Sequence, residues 1–313
     1  KAIELDNKNE KYRLEQETLS ELTNQLTAAK KTLKSGNIDG AIIEFQNIIE
    51  FYPDNASVYF NLGQAYKYNK EYDSAYDNFY KAYTFNEFKD DYSKAINEIA
   101  QRVAKQGNDK YRLKEYDSAI NYFKKAIQYS PNYTKAYFKL ALSYYLIGDY
   151  ENSKGILKKN LAIDPNQAQS EKLLGDIYKK TNNKEKSLEN YKKAISIKND
   201  YHQAYYSLGE VYFSLAELEN SKEALNNAIS LNSNYIKAIV TLGAVEQELG
   251  NLEIAINNYE KALELDPRLN DVYFRISRLY NTQEKYDDAK IAAKYSSKIK
   301  SQYAPAYFEL GIA

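Results

Sequence analysis

The sequence has no cysteine, no methionine and no tryptophan, and only one histidine, five prolines and eleven glycines in 313 residues. Without Cys there are no disulfides, no thiolate metal sites and no Cys nucleophile. One His excludes sites built from several imidazoles, which covers most zinc enzymes, and leaves Ser-His-Asp chemistry a single candidate. Charge of neither sign is in surplus: 43 basic side chains balance 43 acidic ones. That argues against nucleic acid as the main ligand. No run of about 18 apolar residues exists, so no direct membrane span is expected. There is no signal-peptide pattern, no Gly-rich phosphate loop and no carboxylate cluster with calcium-loop spacing. What remains is a chain that is 43% apolar and carries 33 Tyr. It can bury a core and is expected to fold. Length alone suggests about two ordinary domains.

Internal periodicity replaces that expectation. Gly175, Gly209 and Gly243 stand 34 residues apart, Ser277 and Gly311 continue the spacing forward, and Ala141 continues it backward. Around each small residue the text recurs, as in Tyr59-x-x-Leu62-Gly63-x-x-Tyr66, Tyr137-x-x-Leu140-Ala141-x-x-Tyr144 and Tyr205-x-x-Leu208-Gly209-x-x-Tyr212. Twelve residues on comes a second small residue: Ala41, Ala75, Ala119, Ser153, Ser187, Ser221, Ala255 or Ala289. An aromatic residue or Leu follows four later in most units, and Pro53, Pro131, Pro165 and Pro267 close theirs. Leu and Tyr at i, i+3, i+4 and i+7 make one apolar helical face. The small residue at the eighth position is expected to admit the second helix of its own unit. The one at the twentieth is expected to admit the next unit. Asp54 or Asn55, Asn132 and Asn166 stand where helix N-caps are wanted. Gly36, Gly148 and Gly250 fall at the turn between helices, where positive φ costs Gly little.

The pattern resembles the tetratricopeptide repeat, W-x2-L-G-x2-Y, then A-x3-F, then P. The resemblance covers nearly the whole chain and implies an all-α, right-handed superhelical solenoid of antiparallel helix pairs. The chain then reads as one continuous array over 1–313. The tail of a preceding repeat covers 1–7. Repeats follow at 8–55, 56–89, 90–133, 134–167, 168–201, 202–235, 236–269 and 270–303, and a further repeat starts at 304–313. The first residues, Lys1-Ala2-Ile3-Glu4-Leu5-Asp6, echo Lys261–Asp266, so the chain is read as a piece of a longer protein. The units at 8–55 and 90–133 carry inserts without Pro or Gly near 10–21 and 90–99, and are expected to have longer first helices. No unit has the family's Trp. Tyr59, Tyr137, Tyr205, Tyr273 and Tyr307 replace it, and Glu171 stands in another unit, an odd choice for packing. Asn160 and Ser296 take Ala positions, and Gln106 takes a Leu position.

In the family, the first helices line a concave groove through positions 2, 5, 6, 9, 12 and 13. The resemblance implies a partner-binding groove containing Phe60, Tyr68, Tyr111, Phe138, Tyr145, Tyr206, Phe213 and Phe274. The same face carries Lys105, Arg112, Lys135, Lys139 and Lys172, with Lys179 and Lys180, which could attract an acidic segment. The competing reading is that these rings pack between helices and these charges are solvated. A clamp for a partner's C-terminal carboxylate does not assemble: Lys172, Asp176, Ser207, Lys237 and Thr241 come nearest, and Asp176 repels a carboxylate. Leu19, Leu22, Leu26, Ala29 and Leu33 form about two heptads, too few for a coiled coil. His202 reads as structural. Ser297-x-x-Lys300 and the sequons at Asn55 and Asn132 read as chance.

The expected function is a non-catalytic scaffold for other proteins or peptide segments, with no cofactor and no metal. The alternative is the regulatory or substrate-recruiting arm of an enzyme. Lys outnumbers Arg 37 to 6 and Asn, Ile and Tyr are plentiful, which suits an AT-rich bacterium. Spirochaetes are one such group, and tetratricopeptide proteins form part of their periplasmic flagellar collar. The chain is compatible with that role, and with either cytoplasm or periplasm.

Overall fold

The computed structural model of the chain describes residues 2–299, with side chains over 9–298. Tyr307 and Gly311 of the ninth repeat, and Lys300 of the Ser-Lys spacing, lie outside the described residues. Two compact units divide the chain, Lys1–Ile156 and Leu157–Ala313. The first holds α1 (Ala2–Lys34), α2 (Ile38–Phe51), α3 (Ala56–Tyr68), α4 (Tyr72–Phe85), α5 (Asp90–Arg112), α6 (Tyr116–Tyr129) and α7 (Thr134–Leu146). The division falls inside α8 (Tyr150–Ile163). The second holds α9 (Ala168–Lys180), α10 (Lys184–Ile197), α11 (His202–Ser214), α12 (Leu218–Leu231), α13 (Ile236–Glu248), α14 (Leu252–Leu265), α15 (Asn270–Thr282) and α16 (Tyr286–Ile299). All regular structure among the described residues is helical, and consecutive helices pair as antiparallel hairpins.

Each hairpin is closed by the same turn. With positions counted from 22 and 100 in the two repeats that carry inserts, the residue at position 15 of each of the eight described repeats has positive φ: Gly36, Lys70, Lys114, Gly148, Asn182, Ala216, Gly250 and Glu284. From the second repeat on, the next N–H donates back to the carbonyl five residues earlier, as in Glu71 to Tyr66 at 3.0 Å and Glu217 to Tyr212 at 3.0 Å. This is the six-to-one bond of a Schellman cap, which needs a left-handed residue just before it. Three repeats supply Gly there and five hold a side chain in a conformation that L-residues resist. Pro53, Pro131, Pro165 and Pro267 each stand two residues beyond the end of α2, α6, α8 and α14, where Pro cannot continue the helix.

The glycine at position 8 receives a ring or Leu from position 24 of its own hairpin. A Cβ on Gly63 would lie 2.6 Å from the Phe79 ring, one on Gly175 2.5 Å from Tyr191, and one on Gly243 2.6 Å from Tyr259. Those three rings are fully buried. The twentieth position departs from expectation. Its serines contact the first helix of their own repeat: Ser187 Oγ donates to the Gly175 carbonyl at 2.9 Å and Ser221 Oγ to that of Gly209 at 2.8 Å. A serine hydroxyl is short enough to reach that carbonyl only because position 8 has little or no side chain.

Two further expectations need correction. Asn55 caps α3 through Val58 N, but Tyr133 and Gln167, not Asn132 and Asn166, occupy the caps of α7 and α9, without side-chain bonds. The helices start one residue later than the Asn spacing suggested. The first helix is long, as the insert near 10–21 suggested: α1 runs unbroken from Ala2 to Lys34 over 33 residues, because neither Gly nor Pro occurs before Gly36. Gln106 is exposed, and the long α5 buries Tyr92, Ile99 and Val103 instead. Asn160 and Ser296 are buried and bonded, Asn160 Nδ2 to Ser170 Oγ at 2.9 Å and Ser296 Oγ to the Asn270 carbonyl at 2.7 Å.

Candidate binding groove

In the second unit, α11, α13 and α15 present their exposed faces side by side. Two cavities open there. One of about 290 Å³ is lined by Glu210 and Phe213 of α11, by Val240, Thr241, Ala244, Gln247 and Glu248 of α13, and by Arg275 of α15. The other, about 230 Å³, is lined by Gln247 and by Asp271, Phe274, Arg275, Arg278, Leu279 and Thr282 of α15. They share Gln247 and Arg275, so they adjoin. All lining residues but Leu279 occupy positions 2, 5, 6, 9, 12 or 13 of their repeats. Ala244 makes the room: at position 9 the flanking repeats carry Glu210 and Arg278, and α13 carries one methyl group.

The charges beside the cavities are largely tied. Glu210 accepts from Lys179 at 2.7 Å and from the Tyr206 hydroxyl at 2.8 Å. Asp176 accepts from Lys172 at 2.8 Å and from the buried Tyr191 hydroxyl at 2.8 Å. Burial pushes the Tyr191 and Tyr206 phenols up, and the carboxylates of Asp176 and Glu210 push the same way. These phenols are hydrogen-bond donors at any ordinary pH. On α15, Arg278 sits over the Phe274 ring at 5.9 Å. Asp271 is the one carboxylate lining the second cavity, against two guanidiniums.

The residues expected in the groove fall into groups. Phe213 and Phe274 line the cavities. Tyr206 is half-buried and meets Tyr235 edge-on at 5.2 Å. Lys172 is neutralised by Asp176, which weakens the basic stripe within this unit. In the first unit, Phe60 packs between helices, with its ring 5.5 Å from Phe79 and 5.0 Å from Tyr92. Tyr111 is half-buried, edge-on to Tyr116, with Lys139 5.1 Å above its ring. Tyr145 tilts against Tyr150 at 5.6 Å, and Phe138 is half-buried. Tyr68, Lys105, Arg112 and Lys135 are exposed, with Arg112 beside Asp109 at 3.4 Å. A separate cluster joins Glu98 to Lys67 at 3.0 Å and to Arg102 at 2.7 Å. Burial resists ionisation of Glu98, but these cations win and hold its carboxyl below its ordinary range.

Val240, Ala244, Gln247, Glu248, Arg275 and Arg278 were not singled out from sequence. A search for aromatic rings and lysines passes over them; their repeat positions were the available signal. Among the described residues no group of three or more His, Asp or Glu is placed to hold a metal, and no helix is long and apolar enough to cross a membrane.

Sequence profiles described as TPR repeat match residues 107–148 and 175–216. Profiles described as tetratricopeptide repeat match 44–77, 135–166, 202–235 and 236–269. No curated protein matches the chain. Among solved structures, PilF of Pseudomonas aeruginosa is 14% identical with a TM-score of 0.62, over 70% of this chain and 99% of its own. The APC/C hetero-tetramer Cut9–Hcn1 is 16% identical at a TM-score of 0.54, over 92% of this chain and 55% of its own. YrrB, a TPR protein described as having an unusual peptide-binding site, is 21% identical at 0.52, over 59% of this chain and 96% of its own. With the matched profiles spanning more than half the chain and these folds alongside its hairpins, the chain belongs to the tetratricopeptide repeat family.

Proposed function

We propose that this chain is a non-catalytic scaffold that holds partner proteins or peptide segments in the groove of its first helices, as part of a larger assembly. One observation carries the reading: the groove positions of three successive repeats line two adjoining cavities, walled by Phe213, Val240 and Phe274 and by arginines. Apolar walls with a few placed polar groups are what recognition of a side chain needs. The aromatic residues elsewhere, such as Phe60, contribute to packing. The setting proposed is a bacterial envelope assembly such as a flagellar collar, on composition alone. A tagged full-length copy found only in the cytoplasm refutes that setting and leaves the groove reading standing.

Ala244→Trp tests the groove. It fills the larger cavity from a half-buried position without touching the Gly243–Tyr259 contact. Partner recovery in a pull-down should fall to background while helix content by circular dichroism is unchanged. Full recovery with the fold intact refutes the reading.

A further inference from the structure

Resting on that groove reading, we propose that the α5–α7 stretch of the groove, in the first unit, takes an extended acidic segment of a partner protein. The groove positions of α3, α5 and α7 hold no Asp or Glu, against five Lys or Arg. The same positions in the second unit include Asp176, Glu210, Glu248 and Asp271. Charge balance over the whole chain thus hides a local surplus of one sign. Two of the five cations are answered by neighbours: Lys67 by Glu98 at 3.0 Å and Arg112 by Asp109 at 3.4 Å. Among the described residues no carboxylate pairs with Lys105, Lys135 or Lys139. Lys139 lies over the Tyr111 ring at 5.1 Å. A ring contact orients an ammonium and leaves its charge in place.

These three lysines form one patch. The contact of Lys139 with Tyr111 sets α7 against α5. First helices alternate with antiparallel second helices, so α5 and α7 run in the same direction. Lys135 stands one turn before Lys139, about 6 Å back along α7, and Lys105 stands about 9 Å before Tyr111 along α5. Lys105 and Lys135 are therefore nearly level on neighbouring helices, and both are exposed. In an extended segment, residues i and i+2 share a face and stand about 6.5–7 Å apart, close to the rise from Lys135 to Lys139. Alternate carboxylates can thus meet successive lysines. The half-buried Phe138 beside them offers apolar surface to the stems of such side chains. Three like charges repel one another; an acidic segment relieves that repulsion and a basic one adds to it. An ammonium on a flexible stem is a point charge rather than a fixed fork. The preference is therefore for the sign and number of charges, and it weakens with salt.

The test uses the full chain and peptides with a neutral BODIPY label and an amidated end, so that only side chains carry charge. The parent is Gly-Ser-Glu-Ala-Glu-Ala-Glu-Ser-Gly; its companions have Gln or Lys in place of every Glu. Anisotropy titrations should show the Glu probe binding at least about 10-fold tighter than the Gln probe, since each exposed ion pair contributes up to about fivefold. The Lys probe should not bind up to about 1 mM. Raising salt should narrow the Glu-to-Gln ratio. Lys105→Gln with Lys135→Gln and Lys139→Gln should bring the Glu probe to the Gln value. Lys105→Gln with Lys135→Gln, both at exposed positions, should lower its affinity several-fold if the triple variant does not fold. Lys158→Gln with Lys159→Gln, exposed on α8 and outside the groove positions, should change it less than about 2-fold. An equal loss from that pair means general attraction to a charged surface and overturns the proposal. Equal binding of the Glu and Gln probes, or no binding of the Glu probe up to about 1 mM, overturns it as well. Tighter binding of an oligothymidine of the same net charge overturns the peptide assignment. Ala244→Trp lies in the other unit and should leave the Glu probe unaffected, so the pull-down decides the groove reading separately.

Discussion

Ala216→Gly removes one methyl group from an exposed turn and is expected to stabilise the second unit. Ala216 closes the α11–α12 hairpin with a φ of 58°, the left-handed conformation that the Schellman cap imposes. A Cβ in that conformation costs about 1–2 kcal/mol. Glycine removes the cost but returns about 0.4–1 kcal/mol through the freer unfolded chain. The net expectation is a gain of about 0.5–1 kcal/mol. The reverse change provides the control. Gly250 has a φ of 81°, and a Cβ there meets nothing within 4 Å. Gly250→Ala therefore carries only the conformational term and should lose about the same 0.5–1 kcal/mol. Asn182→Gly should gain less than Ala216→Gly, since Asn tolerates this region better than Ala. Because each repeat contacts only its neighbours, one melting temperature of the whole chain averages the effect away. Native-state hydrogen exchange reads it locally: protection should rise in α11 and α12 for Ala216→Gly and fall in α13 and α14 for Gly250→Ala. A loss of protection with Ala216→Gly, or no change with Gly250→Ala, refutes the claim that the turn conformation rather than side-chain contact sets the cost.

Two further outcomes follow from the packing. Gly243→Leu drives a side chain into the buried Tyr259 ring, 2.6 Å from where its Cβ must lie, and should cost about 1–3 kcal/mol in overpacking. Hydrogen exchange should show protection lost around α13 and α14 and kept at α9; uniform loss along the chain contradicts local coupling. Glu171 stands where five sister repeats carry Tyr, with one carboxylate oxygen buried and unbonded. Burial raises its pKa, nearby Glu189 adds to this and Lys193 offsets part of it. A folded-state pKa above the ordinary 4.5 means the fold binds this proton more tightly than the unfolded chain does. Stability from this site is therefore fullest below about pH 4.5 and is lost as pH rises through the raised value. Glu171→Tyr should stabilise by about 1–3 kcal/mol at pH 7 and by less in acid, measured as chemical denaturation at the two pH values. A gain independent of pH sinks the assignment to the carboxylate.

How far the molecule can be read from its sequence depends on whether a position has one physical solution or several. Gly63, Gly107, Gly175, Gly209 and Gly243 have one: a ring or a leucine occupies the space of their Cβ, so the period is written in the residues themselves. The turn has one backbone solution, yet only Gly36, Gly148 and Gly250 reveal it. Lys70, Lys114, Asn182, Ala216 and Glu284 are bent to the same φ because the cap bonds and the helix pairing behind them outweigh a cost of about 1–2 kcal/mol. Apart from Asn182, their own preferences point elsewhere, so the position has to be inferred from its neighbours in the period. The capping Asn residues mislead for a related reason: an Asn two residues before a helix and one immediately before it look alike in text, and only Asn55 has the second place among the repeat starts. The groove is harder still. Its positions follow from the period, but a cavity is a difference in size between neighbours on three helices, and it forms at Ala244 because Glu210, Phe213 and Arg275 surround it. The pairing of Lys179 with Glu210 likewise joins residues 31 apart and, with Lys172 held by Asp176, it weakens an apparent basic stripe within the second unit. Composition lists the lysines; only the stacking of one repeat on the next says which of them still carry charge to a ligand.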